Sequence, residues 1–116
     1  MNEITATELD LLSCFGVEPQ LRDPGVPWQD NSATYDVEVD GSMVSFTIEP
    51  GFQELRFTVH RSGQRVVELT ANSFTDLRVV DVPRQDAIEV QLSDRAWFTL
   101  QVRPTVEVIQ AYGGPD

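Results

Sequence analysis

The stretch ATYDVEVDGSMVSFTI, residues 33–48, decides the fold. From Ala33 it alternates with period two: Tyr35, Val37 and Val39 lie on one face, Thr34, Asp36 and Glu38 on the other. That is the pattern of a half-buried strand. Asp40-Gly41 follows, a dipeptide suited to the two positive φ angles of a tight hairpin. Closing the hairpin there sets Val37 opposite Val44 and Tyr35 opposite Phe46, so both strands keep an apolar inner face.

Working toward the C-terminus, Pro50-Gly51 reads as the next turn and aligns Phe46 with Leu55 and Val44 with Phe57. Further turns are expected near Ser62-Gly63, Asn72-Ser73, Pro83 to Gln85 and Ser93 to Arg95. They stack Val59 on Val67, Leu69 on Leu77, Val79 on Ile88 and Val90 on Phe98. The same registers bring Arg78 between Glu68 and Glu89 on the outer face, where opposite charges across a ladder are favourable. Pro104 interrupts the ladder because it has no N–H to donate, and a last strand is expected at Thr105 to Gln110 with a tail from Ala111. Trp97 and Phe98 are neighbours and therefore face opposite sides, so one of them lies outside the main core.

Toward the N-terminus, Thr5 and Glu8 have capping-box spacing. They open a helix at about residues 6–15 with an apolar stripe of Leu9, Leu11, Leu12 and Phe15, closed by Gly16. Residues 16–32 hold Pro19, Pro24, Gly25 and Pro27 without periodicity and read as a long loop. The expected fold class is mainly β (α+β): an antiparallel meander of about eight short strands forming a half-barrel or two-layer sandwich, with one N-terminal helix. A chain of 116 residues is expected to form a single domain, residues 1–116.

Charge is distributed unevenly. Residues 1–49 carry ten acids against one base, Arg22, and so nine of the net eleven negative charges. After residue 49, nine acids face seven arginines, a balance that cross-strand pairing explains. All eight basic residues are arginine, a hint of a GC-rich bacterial or phage genome. An isoelectric point near 4.3 argues against nucleic acid and anionic membrane as partners, since both are held by basic surfaces. No apolar run approaches the length of a membrane span, and the N-terminus lacks the charge and apolar pattern of a signal peptide. With Cys14 the single cysteine, the expected compartment is the cytoplasm.

The candidate chemistry is sparse. Nucleophilic catalysis needs a nucleophile beside an oriented base. The one cysteine, Cys14, falls near an apolar helix stripe, and the one histidine, His60, on the polar side of a strand. Asp36, Glu38, Asp40 and Gly41 match half of a calcium loop, but Thr47 stands where the bidentate glutamate belongs, so the segment reads as a hairpin. Pro24-Gly-Val-Pro27 has PxxP spacing, for which a loop packed on the sheet is the simpler account. The expectation is therefore no enzyme, no cofactor and no metal.

What remains is the acidic segment with Trp28 in its polar neighbourhood. Asp36 and Glu38 lie about 6.8 Å apart on one strand face. Asp40 sits at the turn, and Asp23 and Asp30 in the preceding loop. Carboxylates of this kind steer and pair with a basic partner, and an aromatic among acids has the composition of an interface hot spot. The reading is a small acidic inhibitor of the immunity-protein kind that occludes a basic surface on another protein, itself a monomer or small homo-oligomer. Its expected partner-binding residues are Asp23, Trp28, Asp30, Asp36, Glu38 and Asp40. A homo-oligomeric assembly subunit using Met43, Val66, Val80 and Trp97 is the alternative. A carrier with a cavity among Tyr35, Phe46, Phe57 and Phe98 is the third.

Overall fold

The computed structural model describes residues 4–112, with the side chains of 81, 82 and 110–112 left aside. It contains one helix and nine strands in two antiparallel sheets. The first sheet runs in the order β1 (Gln20–Leu21), β2 (Ala33–Val39), β3 (Ser42–Glu49), β4 (Glu54–Arg61) and β5 (Gln64–Asn72). The second runs β6 (Asp76–Val82), β7 (Gln85–Ser93), β8 (Ala96–Arg103) and β9 (Glu107–Tyr112). Each sheet is a meander, and neither closes into a barrel. The long loop contains the short β1 and a 3₁₀ turn at Trp28–Asp30.

The β2–β3 hairpin forms as its sequence dictates. Asp40 and Gly41 take φ values of 49° and 81°, and Val37 pairs with Val44 and Tyr35 with Phe46. The β3–β4 register differs from the expected one by two residues: Phe46 lies opposite Phe57, Val44 opposite Val59 and Ile48 opposite Leu55. The turn is longer than Pro50-Gly51. A 3₁₀ turn spans Pro50–Phe52, Gln53 adopts a left-handed φ of 54°, and the strands meet at Glu49 and Glu54. A slip of two leaves the same side chains facing inward, so apolar alternation alone does not detect it.

Leu69 and Leu77 do not pair, because the chain leaves the first sheet after β5 and enters the second at β6. The corner is pinned by Phe74, 1% exposed, whose N–H donates to the Gln53 carbonyl. The Gln53 side chain donates back to the Phe74 carbonyl at 2.7 Å. Glu68 therefore faces Arg56 (2.7 Å) and Arg65 (3.3 Å) within its own sheet instead of Arg78. In the second sheet Val79 pairs with Ile88, Val90 with Phe98, and Arg78 with Glu89, as expected. The last strand is β9, two residues later than expected; the tail beyond it lies outside the described residues.

The helix α1 (Glu8–Phe15) starts later than Thr5 and Glu8 would place it. Thr7 is the cap: its hydroxyl accepts from the Asp10 N–H at 3.1 Å, and the Asp10 carboxylate accepts from the Thr7 N–H at 3.0 Å. Thr5 instead binds Asp76 on β6 through its N–H and its hydroxyl, both at 2.8 Å. The buried side chains of α1 are Leu11, Cys14 and Phe15, while Leu9 is 74% exposed. Phe15 stacks on Tyr35 and Phe46 of the first sheet, with ring centroids 5.1 and 5.2 Å away, while α1 also packs on β6 and β7. The helix thereby joins the two sheets in one hydrophobic cluster. Tyr35, Phe46, Phe57 and Phe98 are buried within that cluster, so the interior expected for a carrier is occupied by their own rings.

Candidate functional site

The acidic segment is built on an edge. β1 pairs only with Ala33 and Thr34, which leaves the rest of β2 as the border of the first sheet. Asp36 and Glu38 project from its outer face, Asp36 opposite Ser45 and Glu38 opposite Met43, with no base directly across from either. Asp40 is exposed at the hairpin tip. Charge on a strand edge also deters edge-to-edge pairing with other chains.

Asp23 and Asp30 are exposed at the other end of β2. Both flank Asn31, whose buried side chain organises the loop and whose role the sequence did not disclose. Its amide donates to the carbonyls of Asp23 (2.6 Å) and Val26 (2.9 Å), while its oxygen accepts from the N–H groups of Asp23 (3.1 Å) and Ser32 (2.8 Å). At strand rise, the seven steps from Ala33 to Asp40 span about 23 Å. Asp36, Glu38 and Asp40 follow β2 to the hairpin tip, with Asp36 and Glu38 as close neighbours on one face, and Asp23 and Asp30 lie in the loop at its other end. None of the five takes part in an ion pair among the described residues.

Trp28 does not belong to that surface. It is 6% exposed, and its indole N–H donates to the Tyr35 hydroxyl at 3.0 Å. A buried indole with its one donor satisfied seals the core and leaves no anchoring area for a partner. Burial pushes the Tyr35 hydroxyl up to about 12, with the Trp28 hydrogen bond acting in the other direction and Glu8 adding to the rise. The partly exposed tryptophan is Trp97, on the outer face of the second sheet and opposite Gln91, while Phe98 is buried. The adjacency of these two aromatics in a strand was the signal that one ring had to lie outside.

The single cysteine is shielded. Cys14 is 2% exposed, and its thiol is pushed up to about 12 by burial and then by Asp86, with Arg103 opposing. His60 is exposed on the first sheet opposite Arg65. Asp76 is held below the usual carboxylate range: its partial burial raises it, but the Thr5 N–H and hydroxyl, the Leu77 N–H and Arg78 outweigh that. No group of three or more His, Cys, Asp or Glu among the described residues is arranged to hold a metal ion. No described helix is long and apolar enough to cross a membrane.

These features define a mostly β protein of two antiparallel meanders joined by a helix, with two exposed carboxylates, Asp36 and Glu38, on an edge strand. No family model matches the sequence, and no curated protein sequence matches it significantly. Among solved structures, the fold is similar to a chain of a contact-dependent growth inhibition toxin–immunity protein complex from Klebsiella pneumoniae 342. The two are 17% identical with a TM-score of 0.74, over 94% of this chain and 96% of that one. At this identity the likeness is one of fold.

Proposed function

We propose that the protein is a small, acidic, non-enzymatic binding protein of the immunity-protein kind, which occludes a basic surface of a partner protein in the bacterial cytoplasm. The observation that carries the reading is the set of five exposed carboxylates on β2 and its flanking loop and turn, Asp23, Asp30, Asp36, Glu38 and Asp40, without ion pairs among the described residues. Four acids elsewhere in the described residues, Glu49, Glu68, Asp86 and Glu89, are each paired with an arginine. Unneutralised negative charge on one surface accelerates encounter with a basic partner and favours one orientation of it. The likeness of fold to a chain from a toxin–immunity complex agrees with this role.

The assembly reading receives less support. Met43 and Val66 are exposed on β3 and β5 of the first sheet, whereas Val80 and Trp97 lie on β6 and β8 of the second. The four are therefore divided between two sheets, and none of them is joined to the others by strand register. The reading is tested by recovering partners of the tagged protein from its host lysate at low and high salt. A stoichiometric basic protein retained at low salt and released at high salt is the expected outcome. Recovery of the protein alone at both salt concentrations would reject it.

A further inference from the structure

The outer face of the second sheet carries a groove of about 280 Å³ lined by Asp76, Arg78, Glu89, Gln91, Asp94 and Trp97. We propose that this groove, walled by the Trp97 indole and the carboxylates of Asp76, Glu89 and Asp94, is a seat for one cationic side chain, arginine or lysine, of a protein partner. This rests on the proposed function and adds a second, aromatic contact to the carboxylates on β2.

The geometry follows from register. Asp76, Gln91 and Trp97 form one row across β6, β7 and β8, and Arg78, Glu89 and Thr99 form the next. Neighbouring strands are about 4.8 Å apart, so the indole and the Asp76 carboxylate border a space about 10 Å wide. Three carboxylates face one guanidinium, and that guanidinium is already held: Arg78 Nε donates to Glu89 Oε1 at 2.6 Å. Asp76 is fixed by its two hydrogen bonds from Thr5, while Asp94 is exposed in the β7–β8 turn. The groove lining therefore carries a net negative charge beside the Trp97 indole, and a cation that settles over an indole is attracted by the ring quadrupole. A flexible chain ending in one positive charge fits this width; a partner carboxylate would meet repulsion from Asp76, Glu89 and Asp94.

The test uses the whole protein, labelled with ¹⁵N, and a short glycine-spaced peptide with two arginines. The chain has two tryptophans and so two indole N–H signals, of which buried Trp28 serves as the internal reference. The expected result is a saturable shift of the Trp97 signal with the arginine peptide and none with a glutamate peptide of equal length. Trp97→Ala should weaken peptide binding about tenfold. Asp94→Asn, an exposed turn residue, should weaken it about threefold with the fold intact. An unmoved Trp97 signal, or shifts at Asp36 and Glu38 alone, would overturn the proposal. In that case the β2 reading is still judged separately, by whether Asp36 and Glu38 variants lose the partner recovered from lysate.

Discussion

Arg103 donates from Nη2 to the main-chain carbonyl of Phe15 at 3.0 Å, across 88 residues of sequence. Its Nη1 donates to the Cys14 carbonyl, also at 3.0 Å. The last turn of α1 contains no basic residue of its own, so the end of β8 supplies the cation that its carbonyls and dipole favour. One guanidinium thus fastens the helix to the second sheet while Phe15 fastens it to the first.

Arg103→Ala should lower stability by about 1–2 kcal/mol, less than two fully buried charge-assisted bonds, because the side chain is partly solvated. Arg103→Lys keeps the charge but not the paired donors and should fall between. Chemical denaturation of the three proteins checks the order; equal midpoints would show that α1 is held by its apolar face alone.

Tyr35→Phe should cost about 1–3 kcal/mol, since it leaves the Trp28 indole N–H buried without an acceptor. Removing both groups in Trp28→Phe with Tyr35→Phe should show coupling when compared with the single variants in thermal unfolding. Strict additivity would deny the bond its role.

The Asp76 carboxyl is lowered in the folded protein, so its contribution is fully present above the ordinary value of 3.8 and lost as the pH falls through the folded value below it. Asp76→Asn should therefore be less stable than the parent at neutral pH, with the gap closing below about pH 4. Unfolding measured across that range reads it directly; a gap that persists unchanged into strong acid would contradict the assignment.

Cys14 should resist thiol reagents at pH 8 in the native protein and react at once after unfolding in denaturant. Burial of the thiol and its rise to about 12 both act in this direction. Rapid native-state labelling would mean that α1 opens readily.

Much of the fold was legible because local chemistry was decisive. Asp40-Gly41 fixed one hairpin, and a second sheet assembled around Val79–Ile88 and Val90–Phe98 by the same alternation. What was not legible depended on distant partners. Thr5 has the sequence spacing of a cap, yet it is recruited by Asp76, leaving Thr7 and Asp10 to form the box. The passage from β5 to β6 looks like any hairpin until Phe74 is seen buried against Gln53. Trp28 has polar neighbours in sequence but an apolar pocket in space, with Tyr35 to satisfy it. The carboxylates of β2 were legible because alternation exposes every second residue, whereas the groove at Trp97 required three strands in register.

The most direct measurement is the association rate of the partner recovered from lysate with the parent protein and with Asp36→Lys combined with Glu38→Lys, across a salt series. The account predicts an association rate at low salt about tenfold or more slower for the variant, with a flattened salt dependence and unchanged unfolding. An unchanged rate with the same salt slope would contradict it, and would leave the acidic edge as a device for keeping the strand border solvated.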